Sequence, residues 1–272
     1  MPHPFPDYKN PPVIEVVCGL GFAPLSSFKA VHFGKFWEQI GSDNFPFIQE
    51  HPPLIGGIEN LGGAQAPAMD IRFFQTPPLP RVWMLDKSGN GIIQIQREAF
   101  LHNWRKLNPE DQYPRFQTVM GDFIRYFEQF KSFTQKNSLG EITPTQYELT
   151  YINHILANEF WASTKPLSKL LSDFRWQSSP ERFLPDYEGV NWLTTFLLPD
   201  KCGRLYVSIQ TALRQPNLDP IIIIEMKARG IGKFTGLSDM PKWFDIAHEW
   251  IVKGFADLTD KVAQRKLWGL KE

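Results

Sequence analysis

The hydrophobic pattern changes period several times along the chain, and each change marks an element. Val13–Phe22, VIEVVCGLGF, is a β-branched apolar run ended by Gly21 and Pro24, which predicts a strand. Phe28–Ile40 places Phe28, Val31, Phe36 and Ile40 near helical spacing, with Gly34 as its weak point. Residues 44–80 lose periodicity and fill with proline and glycine, including Pro52-Pro53, Gly56-Gly57, Gly62-Gly63 and Pro77-Pro78. Short strands are expected there near Leu54–Asn60 and Met69–Phe74. A stretch this long with so little regular pattern is either a surface excursion or a functional cover.

Period-two alternation returns at Arg81–Leu85 and Ile92–Gln96, which flank the turn-rich Asp86–Gly91 and read as a hairpin. A third strand follows at about Glu98–Arg105. Tyr113–Phe133 then carries Phe116, Met120, Phe123, Phe127 and Phe130 on one helical stripe. Leu139–Pro144 reads as a linker, and after it the order of elements recurs. Tyr147–Ile155 matches the first strand and Leu167–Phe174 the first helix. Leu193–Leu198, Leu205–Leu213 and Pro220–Ala228 read as antiparallel strands. Trp243–Leu258 matches the long helix through Phe244, Ala247, Ile251, Phe255 and Leu258.

Matching elements are offset by about 130 residues, too far for a solenoid repeat. The expected fold is therefore α+β, a tandem duplication of a strand–helix–antiparallel strands–long helix unit, with halves at 1–138 and 139–272. Each long helix would cover one face of its sheet. The two free faces side by side would form a saddle, as in the TATA-binding-protein fold, or a paired helix-grip arrangement.

Alternation along the strands assigns residues to that free face. Read straight through from Ile92 to Trp104, it carries Gln94, Gln96, Glu98, Phe100, His102 and Trp104, with Arg105 at the strand end. The second half contributes Tyr206, Ser208, Gln210 and Arg214. Amides, aromatics and scattered charges suit a surface for a peptide or nucleic acid, although an ordinary solvated sheet face looks similar. The contact residues expected are Gln94, Gln96, His102, Trp104, Arg105, Ser208, Gln210 and Arg214. Asn103 and Asn153, near strand ends, are expected to satisfy backbone groups.

Composition narrows the function. Lys plus Arg and Asp plus Glu number 29 each, so the chain has no overall basic footprint for nucleic acid, though a local one is compatible with this. Aromatic residues make up 14% of the chain, enough for two compact cores. Cys18 and Cys202 stand in no metal or redox spacing, and a reducing cytoplasm is expected. No signal pattern or membrane-length apolar run is read.

Three catalytic patterns fail or weaken on inspection. Gly19-Leu20-Gly21 follows a strand, but Pro24 stands where a dinucleotide fingerprint needs its third glycine. Gly230–Thr235, GIGKFT, has Phe234 after the lysine where a phosphate loop needs a hydroxyl. Asp200, Glu225 and Lys227 resemble the PD-(D/E)xK nuclease pattern, in which two carboxylates hold Mg²⁺ and the lysine assists water. A hairpin around Gln215–Pro220 would put Asp200 roughly 30 Å from Glu225 at strand rise. The histidines His3, His32, His51, His102, His154 and His248 have no metal spacing. Neither a metal nor a cofactor is expected.

The segments PPVIEVVCGLGF, FGKFWE, IIQIQREAFLHNWRK, YPRF, ELTYINHI and the terminal WG together resemble a sporadically distributed bacterial and archaeal family of uncharacterised proteins. The resemblance spans nearly the whole chain, departs from the family at Gly21, where a basic residue is usual, and implies no chemistry. The family's patchy distribution is similar to that of mobile toxin–antitoxin and phage-defence genes, which implies a role in such a module; the free sheet faces and the 44–80 segment are expected to hold a protein partner. The function expected is a non-enzymatic binding protein. A metal-dependent nuclease and a non-catalytic nucleic-acid binder are the alternatives.

Overall fold

The computed structural model describes residues 5–54, 59, 78–161, 165–176 and 179–271. A nine-stranded antiparallel sheet runs through the molecule in the order β2-β3-β4-β5-β1-β6-β9-β8-β7. Its strands are β1 Val13–Phe22, β2 Phe47–His51, β3 Arg81–Leu85, β4 Gly91–Gln96, β5 Ala99–Arg105, β6 Pro144–Leu156, β7 Asn191–Leu197, β8 Arg204–Arg214 and β9 Asp219–Gly230. The helices are α1 Val31–Ile40, α2 Phe116–Lys136, α3 Met240–Leu258 and α4 Lys261–Trp268.

β1 and β6 lie together at the centre of the sheet. They pair antiparallel, Val16 against Tyr151, Cys18 against Leu149 and Leu20 against Tyr147. These side chains are buried, as apolar and aromatic residues on a covered sheet face should be. α2 packs over β5 and β1, and α3 over β6, β9 and β8. The predicted α2 stripe of Phe116, Met120, Phe123, Phe127 and Phe130 is buried throughout. Phe123 meets Phe244 of α3 at a ring separation of 5.4 Å, which joins the two helices over one hydrophobic cluster. The 139–143 segment leads directly into β6.

The N-terminal stretch is tied to the C-terminus. Tyr8 bridges to Leu270, its hydroxyl donates to Gln264 Oε1 at 2.9 Å, and Lys9 N–H donates to the Gly269 carbonyl at 3.2 Å.

Several sequence expectations are corrected. The helix expected at Leu167–Phe174 is a 3-10 turn at Lys165–Lys169. The chain after it gives its backbone groups to the α3–α4 connection: Ser172 N–H donates to the Leu258 carbonyl and the Leu170 carbonyl accepts from Asp260 N–H. β2 was hidden in the proline- and glycine-rich segment. α4 was not read either, although Asp260 caps it by accepting from Val262 and Ala263 N–H at 2.8 and 3.0 Å and Gly269 ends it at φ 62°. Leu54 and Glu59 are not in a strand, and the strand expected at Met69–Phe74 lies outside the described residues.

The last correction concerns which way β5 faces. Gln96 pairs with Ala99 and Gln94 with Leu101 across a two-residue turn, Arg97-Glu98. Residues opposite one another point to the same face, and here they sum to an odd number, so the turn exchanges odd and even positions. Alternation read straight through from β4 into β5 therefore inverts β5. Phe100, His102 and Trp104 lie under the helices, with ring separations of 5.7 Å to Phe127, 5.7 Å to Tyr126 and 5.5 Å to Tyr113. The helix-free face of β5 carries Ala99, Leu101, Asn103 and Arg105.

Candidate functional site: the helix-free face of the sheet

Four residues on neighbouring strands build a polar ladder across the first half of this face. Arg81 Nη1 on β3 donates to Gln94 Oε1 on β4 at 3.0 Å. Gln94 Nε2 donates to Asn103 Oδ1 on β5 at 2.7 Å, and Asn103 Nδ2 donates to Glu15 Oε1 on β1 at 2.6 Å. Gln94 and Asn103 are buried, and Ile92, Leu85 and Leu101 beside them are buried too. Buried amides keep their donors and acceptors matched because an unmatched one loses its water without replacement. Burial pushes the Glu15 carboxyl above its ordinary range, and the hydrogen bond from Asn103 opposes that rise.

Gln96 does something different: it holds another piece of the chain. Its Oε1 accepts from Leu54 N–H at 2.7 Å, and its Nε2 donates to the Leu54 carbonyl at 3.1 Å and to Glu98 Oε1 at 2.6 Å. One primary amide thus reads both backbone groups of one residue, as an adjacent strand would. Further across the face, Glu59 N–H donates to Gln146 Oε1 on β6 at 2.9 Å. The Glu59 carboxylate is paired with Arg204 Nη1 and accepts from the Tyr206 hydroxyl at 2.7 Å. The Glu59 and Arg204 side chains are only 6% and 12% exposed, so this is a desolvated ion pair rather than a surface contact. Leu54 and Glu59 are therefore anchored at points on β4, β6 and β8.

Two charge pairs lie further across the face. Lys227 pairs with Glu225 at 2.8 Å on β9, and Arg229 with Glu148 at 3.0 Å across β9 and β6. Ser208 stands opposite Glu225, and Gln210 and Arg214 follow on β8 toward its exposed end.

The expected contact residues separate into groups. Gln94 and Gln96 share the helix-free face but are buried, Gln94 in the ladder and Gln96 against Leu54. Ser208, Gln210 and Arg214 share it further out. Arg105 lies on it, with Nε donating to the Gly89 carbonyl at 3.0 Å in the hairpin turn. His102 and Trp104 face the helices instead. Burial, with the nearby Arg125 charge adding to it, lowers His102 to about 4 and keeps its ring neutral. Asn103 and Asn153 fall on opposite faces; Asn153 Nδ2 donates to the Ile224 carbonyl at 3.1 Å, the backbone role expected of it.

Of the nuclease-like residues, Glu225 and Lys227 pair with each other on β9, but Asp200 is held apart from them. Asp200 stands before β8 and accepts from Lys233 Nζ at 2.6 Å, which holds its carboxyl below the usual range. Glu225 lies opposite Ser208, four residues beyond the Arg204–Arg229 pair and about 13 Å along the strand from it. Among the described residues, no group of three or more His, Cys, Asp or Glu side chains is placed to hold a metal ion. No helix among them is long and apolar enough to cross a membrane.

Sequence reasoning missed Glu59, Arg204, Gln146 and Glu15. Alternation on β8 puts Arg204 on the face of Tyr206 and Ser208, so that one was readable. Glu59 sits in an aperiodic segment with no local signal. No protein-family model, curated protein or solved structure matches the chain.

Proposed function

We propose that the chain is a binding protein that holds an extended, acidic segment of a protein partner on the helix-free face. The observation that carries this reading is the pairing of the Gln96 amide with both backbone groups of Leu54. Recognition of backbone groups is how extended peptides are held without dependence on side-chain identity. The Arg204–Tyr206 pair adds a carboxylate subsite further along the same path, filled by Glu59. Matched charges of both signs around it, Glu225 with Lys227 and Glu148 with Arg229, favour a polypeptide over a polyphosphate chain.

The sheet order supports duplication of a four-stranded unit. β3-β4-β5-β1 on one side of the centre corresponds to β7-β8-β9-β6 on the other, each followed by its long helix. Two such units joined at β1 and β6 are read here as a saddle whose concave side is the binding face. By the family resemblance, the chain acts within a toxin–antitoxin or phage-defence module.

The test uses a fluorescent peptide with the sequence of residues 52–59, titrated into the chain carrying Glu59→Ala. Saturable binding is expected, weakened at least about tenfold when alanine replaces the peptide's glutamate or Arg204 of the protein, a loss of about 1.4 kcal/mol. Absence of saturation, or equal affinity for the two peptides, would reduce Leu54 and Glu59 to internal braces and overturn the reading.

A further inference from the structure

β7 ends the sheet on one side, and among the described residues its outer edge lacks the devices that keep sheet edges apart. It pairs with β8 in unbroken register over all of Asn191–Leu197, with no bulge. Its sequence, NWLTTFL, has neither a charge nor a proline. Edge strands are ordinarily protected by lysines, prolines, bulges or a cover. Leu193, Phe196 and Leu197 are instead 66%, 42% and 48% exposed. The opposite edge is protected: β2, FIQEH, is short, carries Glu50, and stands between Pro46 and Pro52. On the helix side, an 870 Å³ recess lined by Phe196, Leu205, Val207, Met226, Trp250 and Gly254 borders β7.

We infer that β7 is the interface of a symmetric dimer, formed by antiparallel pairing with β7 of a second copy. The strand is self-complementary. A two-fold axis at Thr194 sets Trp192 of each copy beside Phe196 of the other, on the side of the recess. Leu193 of each copy then meets Thr195 of the other on the opposite face. An uncharged strand on a chain of zero net charge meets its copy without repulsion. The same operation on β2 would bring Glu50 close to its own copy. Pairing β7 onto β2 would leave free edges at both ends and grow into a filament rather than close.

Light scattering coupled to size exclusion tests this on the full chain. The expected mass is twice 31.5 kDa. Thr194→Lys places two ammonium groups face to face at the axis, and the mass should fall to that of one chain with an unchanged circular-dichroism spectrum. Thr194→Cys should form a disulfide-linked dimer under mild oxidation, whereas Gln49→Cys on β2 should not; Cys18 and Cys202 are buried. A monomeric wild type, an open-ended assembly, a dimer that persists in Thr194→Lys, or no cross-link at residue 194 would each overturn the inference.

Discussion

Glu15 is a carboxylate that the fold withdraws from water without giving it a full counter-charge. Its partner is the neutral Asn103 amide, and burial raises its pKa. A raised carboxyl binds protons more readily in the folded chain than in the unfolded one. Its contribution is therefore most favourable in acid and is lost as pH rises from the ordinary carboxylate range through the folded value. Glu15→Gln keeps an acceptor for Asn103 and removes the charge. Thermal melts should show the variant at least as stable as wild type at pH 7, with its advantage shrinking toward pH 4. His248 shows the opposite sign. It stacks on Phe116 at 4.0 Å with a 6° interplanar angle, and burial lowers it to about 4. Between its ordinary value and about 4 the unfolded chain takes up a proton that the folded chain refuses, so this group's stabilisation is lost as pH falls through that window. His248→Phe should preserve the stack and flatten the acid slope by up to about 1.4 kcal/mol per pH unit, measured from urea midpoints at pH 7 and 5.

At the scale of elements, α2 is held by its aromatic face. Phe127 is fully buried between Phe100 and Phe123. Phe127→Ala should lower unfolding free energy by about 3–5 kcal/mol in chemical denaturation. The far ends of β8 and β9 rest on a backbone contact instead. A Cβ on Gly230 would stand 2.4 Å from Gly203 Cα, and Gly230 has φ 148°. Gly230→Ala should therefore destabilise by at least about 2 kcal/mol, more than any alanine substitution on the exposed turn Gln215–Leu218. Trp243 is seated by the same corner, its Nε1 donating to the Cys202 carbonyl at 3.0 Å, so its fluorescence should report the change.

For the whole molecule, the decisive contact is β1 against β6. It joins the two halves through an uninterrupted sheet, and Phe123 and Phe244 join the helices above it. Fragments 1–138 and 139–272 each lose a central neighbour and expose the inner edge of β1 or β6. Expressed separately, they should lack the cooperative unfolding transition of the intact chain, and mixing them should restore it. A fragment with its own sharp transition would show that a half folds alone. The self-pairing inferred at β7 belongs to this scale too, because it depends on which strand the fold leaves outermost.

Strand and helix periods were readable because they are local: a β-branched apolar run found β1, alternation found β3, β4 and β8, and a three-to-four spacing of phenylalanines found α2. Face assignment on β5 was not readable by continuing that alternation, because a two-residue turn exchanges odd and even positions and sends His102 and Trp104 under the helices. Gln94 and Gln96 were identified as helix-free-face residues from their position on β4. Their partners, Asn103 and Leu54, were not, since a side-chain hydrogen bond depends on which strands become neighbours. Asp200 and Glu225 matched a metal-site pattern by residue type, but the hairpin read from the sequence already set them apart, and the β8–β9 register and the Lys233 pair agree with that reading. The sequence by itself determined the elements and the apolar faces they bury, because propensity and hydrophobic period act over a few residues. Only the tertiary structure decided that β1 and β6 join at the centre, that Glu59 reaches Arg204, and that β7 is left at the edge, because strand order and long-range pairing are settled by packing among residues far apart in the chain.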